Sequence, residues 1–164
     1  GLANYFINKN FIGIDIKGAR IWKGAKICKE KEISNVRFLR TKVDFIEKFF
    51  NQNEISEIWL TFSDPQPKKP NKRLTSPLFL NRYKKIIQKN GIIHLKTDSD
   101  LLYEYTLNII NENKYEIIEN IDNIYTHITQ LKNPLMESLN IKTFYEKKWL
   151  EKGKTIKYLS FTIH

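Results

Sequence analysis

The chain has 164 residues, with 28 lysines and arginines against 18 acids and a formal net charge of +10 at neutral pH. Apolar residues make up 41% and aromatic residues 13%, enough for one packed domain over 1–164, so global disorder is excluded. No run of about 18 apolar residues offers a membrane span, no secretory signal is visible, and a single cysteine, Cys28, excludes an internal disulfide or a cysteine-type zinc site and fits a reducing, cytoplasmic setting.

The positive excess favours a polyanionic partner: RNA, DNA or an anionic membrane surface. A lysine- and asparagine-rich genome produces the same excess. The chain begins with Gly1, and GLANYFINKN reads as the end of a helix, so a preceding segment is expected.

In chain order, FIGIDI (11–16) is a short strand. GARIWKGAKICKEKE (18–32) is a helix with Ile21, Ala25 and Cys28 at helical spacing. NVRFLR (35–40) is a strand, VDFIEKFF (43–50) a short amphipathic helix with Phe45, Ile46, Phe49 and Phe50 inward, and EIWLTF (57–62) a strand. Ser76-Pro77 has the form of a helix cap followed by a first-turn proline, opening a helix through Asn90 that stops at Gly91. GIIHLKTD (91–98) is a strand. A helix capped by Ser99 follows to Asn113, with Leu102, Tyr105 and Ile109 buried. YEIIENI (115–121) and TIKYLSFTI (155–163) are strands, with a short helix over 143–152 between them.

This alternation predicts an α/β fold: a mainly parallel sheet with helices on both faces and an antiparallel pair at its C-terminal edge. Ligands of such sheets sit at the carboxyl ends of the strands. The polar residues there are Asp15, then Thr41 and Lys42, then Ser63 and Asp64, then Thr97 and Asp98.

FSDPQPKKPNKR (62–73) is the most unusual stretch. Pro65 and Pro67 keep the segment after Asp64 extended or turned. Lys68, Lys69, Lys72 and Arg73 then place four cations in six residues. Asp64 serves either as an Asx turn leaving the strand or as an acid reading a base edge while the cations meet phosphate. Asp98 repeats the arrangement one strand later, and neighbouring strands about 4.8 Å apart bring the two acids within roughly 5 to 10 Å. Asp15 admits two roles, a helix cap or a grip on a ribose diol. The three histidines show no metal-ligand spacing, so no metal is expected, and no phosphate loop or nucleophile elbow is present. Tyr145 and Trp149, four apart on a predicted helix, are expected to face the core rather than stack on a base.

At these residues a resemblance appears. FSDPQPKKPNKRL resembles the SDPWPKK…KRR signature of the bacterial tRNA (guanine-N7)-methyltransferases; HLKTD…LYEY, TFYE (143–146) and FIGID resemble further motifs of that family, in the same order. The resemblance implies a Rossmann-like class I methyltransferase that uses S-adenosylmethionine to methylate guanine N7 in the tRNA variable loop. It implies a cofactor-binding role for Asp15, Thr41, Lys42 and Asp64, with Asp64 also catalytic. It implies substrate contacts from Lys68, Asp98, Thr143, Phe144, Tyr145 and Glu146. Lys69, Lys72 and Arg73 are expected at RNA phosphates. Gln66 departs from the family's Trp, Thr61 from an Asn, and Lys42 from an adenine-side acid. The family's first strand and glycine-rich loop are expected upstream of Gly1. The alternatives are a non-catalytic basic RNA-binding module and a methyltransferase for a non-RNA substrate. Monomer and homodimer stay equally open.

Overall fold

FIGID and VRFLR form parallel neighbours. β1 (Phe11–Asp15) and β2 (Val36–Arg40) pair in register from Phe11–Val36 to Asp15–Arg40. A short α1 (Leu2–Tyr5) precedes them and α2 (Gly18–Glu30) makes the crossover that parallel strands require. The computed structural model covers residues 1–164, which divide into two compact units, Gly1–Ile46 and Glu47–His164.

In the first unit the ring of Phe38 occupies space that two glycines leave open. A Cβ on Gly24 would lie 2.7 Å from Phe38 Cε1, and one on Gly13 2.9 Å from its Cδ1. The inward row of α2 is therefore Ile21, Gly24 and Cys28, all half-buried, and Ala25 is exposed. Asn35 Nδ2 reaches the carbonyls of Ala3, Phe6 and Lys9 at 3.1, 3.1 and 2.8 Å, fixing the end of α1. The segment after β2 is a 3-10 turn, Val43–Lys48, too tight for the expected amphipathic helix. Ile46 is buried, whereas Phe45 and Phe49 are exposed.

The second unit holds a four-stranded sheet in the order β3–β4–β6–β5. β3 (Ile55–Thr61) and β4 (Ile87–Thr97) are parallel, and β6 (Lys157–Phe161) is antiparallel to both β4 and β5 (Ile117–Ile121). β3, β4 and β5 thus run one way and β6 alone opposes them. The last two strands do pair antiparallel, but β6 is wedged between β4 and β5 and β5 forms the edge.

Strand alternation divides the sheet residues between two faces. Ile93, Leu95, Leu159 and Phe161 are fully buried on one, and α3 (Pro77–Ile86) and α4 (Asp100–Asn113) pack against β4, α4 also against β6. The buried row of α4 is Leu102, Tyr103, Thr106, Ile109 and Ile110. Tyr105, expected inside, is half-buried under the Arg73 guanidinium, 4.3 Å from its ring centre. Burial and Glu112 raise the Tyr105 hydroxyl pKa, against the lowering by Arg73. On the other face Tyr158 joins Ile121, Ile124, Leu139 and Ile156 in a cluster, with Trp59, Trp149 and Leu150 against it. That cluster draws on α5 (Ile124–His127), α6 (Leu135–Asn140) and α7 (Phe144–Glu151).

The helix begun at Pro77 stops at Ile86 rather than Asn90, because Ile87 pairs with Ile55 of β3. Between Ile87–Ile55 and Ile92–Glu57 the register shifts, and Gln88, Lys89 and Asn90 bulge into solvent. Gly91 closes that bulge: a Cβ there would lie 2.4 Å from Ile87 Cγ1 and 2.9 Å from the Gln88 carbonyl.

Candidate active site

Thr61 of β3 stands opposite Lys96 of β4, and the Phe62 amide donates to the Lys96 carbonyl at 2.9 Å. Asp64 lies three residues past Thr61 and Asp98 two past Lys96. Both acids therefore leave adjacent parallel strands at the same end, the carboxyl rim where α/β sheets hold ligands.

The loop carrying Asp64 is held in an unfavourable backbone shape. Phe62 has φ 51° and Gln66 φ 44°, left-handed values that a bulky side chain reaches only at a cost of order 1–3 kcal/mol. Asp64 Oδ1 accepts from the Gln66 amide at 2.9 Å, so the expected Asx turn exists, while the residue itself stays exposed. Arg73 holds the loop from beneath. Only 5% exposed, it donates Nε to the Pro65 carbonyl at 2.8 Å and Nη2 to Gln66 O at 3.5 Å while covering Tyr105. Arg73 thus leaves the expected phosphate-binding set: its charge is committed to two loop carbonyls and a ring. Lys68, Lys69 and Lys72 remain exposed. Next to Asp64, the Ser63 hydroxyl oxygen is out of solvent and makes no hydrogen bond. A buried polar atom without a partner is costly, and here it marks the rim.

Asp98 is half-buried and its carboxylate pairs with Lys154 at 2.9 Å. The Lys154 ammonium also lies 4.2 Å from the Trp149 ring centre. Lys96, two residues before Asp98, turns inward. Its ammonium meets the Glu146 carboxylate at 2.6 Å, with side chains 4% and 0% exposed, and donates to the Leu139 and Ile141 carbonyls at 2.7 and 3.3 Å. Glu146 also accepts from the Tyr125 hydroxyl at 2.5 Å and from the Thr143 amide at 3.1 Å. The Glu146 amide in turn donates to Thr143 Oγ1 at 3.1 Å, completing a capping box at the start of α7. Burial lowers the Lys96 ammonium below its usual pKa, although Glu146 pulls it back up. Burial, helped by Glu146, pushes the Tyr125 hydroxyl well above the ordinary tyrosine range.

In the first unit the Asp15–Arg40 pairing brings Asp15 and the Thr41-Lys42 step to one end of β1 and β2. Asp15 Oδ1 accepts from the Lys17 amide at 2.8 Å and Oδ2 pairs with Arg20 at 3.2 Å. Thr41 is half-buried and Lys42 exposed.

A family model described as "Putative methyltransferase" matches residues 1–159, running across both units. A tRNA (guanine-N(7)-)-methyltransferase of Christiangramia forsetii is 48% identical over 99% of this chain and 71% of its own length. This chain belongs to the tRNA (guanine-N7)-methyltransferase family. Another such protein, from Porphyromonas gingivalis, is 50% identical over 98% of this chain, which spans 64% of that relative, less than two thirds of its length. Among solved structures, a SAM dependent methyltransferase from Aquifex aeolicus superposes with a TM-score of 0.61 at 10% identity, over 94% of this chain and 69% of its own. The fold is that of the S-adenosylmethionine-dependent methyltransferases.

Within this family frame the motif residues separate by burial. Asp64, Lys68, Lys69, Lys72, Thr143, Phe144 and Tyr145 are exposed and Asp98 half-buried, whereas Glu146 lies in the core with its carboxylate engaged by Lys96, Tyr125 and Thr143. In this arrangement it holds α7 and offers no open face to a ligand. Trp149 packs on the core cluster as expected, but Tyr145, four residues away, is exposed. Sequence reasoning did not find Lys96, Lys154 or Tyr125. Lys96 had a readable signal: alternation places it on the His94 face of a strand, and a lysine inside needs an acid. Lys154 and Tyr125 come from segments with no periodic pattern.

Proposed function

We propose that the protein to which this chain belongs transfers a methyl group to N7 of a guanine in the tRNA variable loop. The observation that carries this reading is the acidic pair on one carboxyl rim, Asp64 on its braced loop beside the unpartnered Ser63 hydroxyl, and Asp98 at the end of the neighbouring strand. Guanine N7 presents an in-plane lone pair on the major-groove edge, so no base has to remove a proton before attack. That chemistry suits a rim of acids and lysines without a nucleophilic cysteine or histidine.

S-adenosylmethionine, when bound, supplies an electrophilic methyl carbon on a sulfonium. Asp15 fits its ribose diol: the carboxylate sits at a strand end, and each oxygen keeps acceptor capacity beyond its present bond. Thr41 and Lys42, at the same end of the sheet, line that side, with Lys42 offering a cation or its backbone where the family has an acid. Asp64 and Asp98 hold the guanine. Methylation places positive charge on the purine, and a fixed carboxylate beside the ring is complementary to it. Asp98 exchanges Lys154 for the N1–H and amine edge of guanine, and each charge-assisted bond of this kind contributes about 1.5–3 kcal/mol. Lys68, Lys69 and Lys72 meet backbone phosphates, and Thr143 and Tyr145 line the substrate side.

The test uses the complete natural protein and mass detection of N7-methylguanosine in tRNA. Asp64→Ala is expected to abolish most methyl transfer while tRNA binding changes little. Turnover near wild type in that variant removes Asp64 from the reaction. Wild-type protein that binds tRNA without methylating it leaves a basic RNA-binding module.

A further inference from the structure

Helix α2 docks on β1 and β2 through its half-buried row of Ile21, Gly24 and Cys28. Its outward face is of another kind. Trp22 is 65% exposed there, with the Lys26 ammonium 5.3 Å from its ring centre. Lys17, Arg20, Lys23, Lys26 and Lys29 stand at every third residue, all exposed, a row about 18 Å long at 1.5 Å per residue. Arg20 is turned to Asp15 at 3.2 Å, and the single acid from 17 to 31 is Glu30, 3.7 Å from Lys26.

Helix stability does not account for this row. Side chains three apart on a helix are neighbours, so like charges there repel. Lys17 caps the helix and Arg20 lies in its first turn, which holds no acid, although the helix dipole favours acids at that end. The row also concentrates the charge of the chain. Gly1–Ile46 holds ten lysines and arginines against four acids, so six of the ten net positive charges fall in its first 46 residues. A polyanion laid along the row relieves the repulsion and meets the charge.

We propose that the outward face of α2 is a second RNA-contact surface, which holds a part of the tRNA other than the variable loop. Lys23, Lys26 and Lys29 meet backbone phosphates and Trp22 packs on an unpaired base, the pairing of cations with an aromatic face by which proteins bind single-stranded nucleic acid. The proposal rests on the tRNA reading above. An anionic membrane surface suits this face less well, because a helix lying in a bilayer presents a continuous apolar stripe, whereas here a single ring stands among lysines. A second copy of the chain would bring lysines against lysines.

The experiment uses the complete natural protein as wild type, Trp22→Ala, Trp22→Phe and the Lys23→Ala/Lys26→Ala double variant. It measures tRNA affinity across a salt series, hydroxyl-radical footprints on the tRNA, and methyl transfer. Trp22→Ala is expected to weaken tRNA binding about 5- to 150-fold with the slope of log affinity against log salt unchanged, and Trp22→Phe to recover most of that loss. The double lysine variant should lower the slope by about 1–2 and lose a protected patch outside the variable loop while protection of that loop persists. In every variant kcat at saturating tRNA and the affinity for S-adenosylmethionine should hold, so that only the KM for tRNA rises. Wild-type tRNA affinity and slope in both Trp22→Ala and the double variant overturn the second surface alone, and so does a melting temperature lowered by Trp22→Ala without loss of affinity, which would mean that the ring is covered by the protein's own chain. Wild type that does not bind tRNA overturns the tRNA reading and this surface with it. Two further results overturn the proposal: binding of wild type, but not of the variants, to phosphatidylserine-containing vesicles with tRNA affinity unaltered, and a change of oligomeric state in Trp22→Ala by sedimentation.

Discussion

Arg73 and Gln66 carry a division of labour that composition hides. Four cations in six residues look interchangeable, yet Arg73 is turned into the protein to hold the Pro65 carbonyl while Lys68, Lys69 and Lys72 face solvent. Arg73→Ala is expected to cost about 1.5–3 kcal/mol, the range for a bond from a charged donor, in chemical denaturation, and to leave the salt slope of tRNA binding unchanged. Lys68→Ala/Lys69→Ala should reverse the pattern, lowering that slope by about 1–2 with little effect on stability. Gln66 sits at φ 44°. Gln66→Val, which puts a β-branched side chain in that conformation, should lose about 1–2 kcal/mol, while Gln66→Gly should hold or raise the midpoint. The sequence made Asp64 legible because Pro65 and Pro67 follow it. It did not reveal that Phe62 and Gln66 take left-handed backbone, since neither residue type signals it. Nor did it give the inward turn of Arg73, which depends on where Tyr105 stands.

Among the elements, α7 is anchored by a buried ion pair, Glu146 with Lys96, in addition to Trp149 and Leu150 on the core cluster. Removing one partner of a buried ion pair strands the other charge, at about 3–5 kcal/mol. Glu146→Gln and Lys96→Met are each expected to destabilise by that order, while the two together cost less than their sum in a double-mutant cycle. The pH dependence has a definite sign. Burial puts the folded-state pKa of Lys96 below its ordinary 10.5, so between those two values the unfolded chain binds the extra proton. Stability from this group therefore rises as pH climbs through that window, and the penalty is fully present below it. Comparing denaturation of wild type and Lys96→Met from neutral pH upward isolates the increment, which the variant should lack. Elements with long periodic patterns were readable, α4 and its Ser99 cap above all. The end of α3 was not: Ile86 and Ile87 continue a helical pattern, and only pairing with Ile55 turns the chain into a strand. α5 and α6, with four and six residues, are too short for any period to register.

At the scale of the molecule, the strand-to-helix alternation was sufficient for the α/β class and for placing the acids at strand ends. It was insufficient for strand order, because nothing local tells β6 to enter between β4 and β5. That insertion has a consequence for how the protein is made. β5 has one neighbour in the sheet, and that neighbour lies some forty residues further along the chain. While a ribosome is still reading the intervening segment, β5 has no ladder to join and the edge of β4 stands open, both bare to chaperones or to aggregation. Folding of this half must therefore wait for synthesis to pass Phe161, and a stalled message would leave an unmatched edge rather than a smaller working sheet.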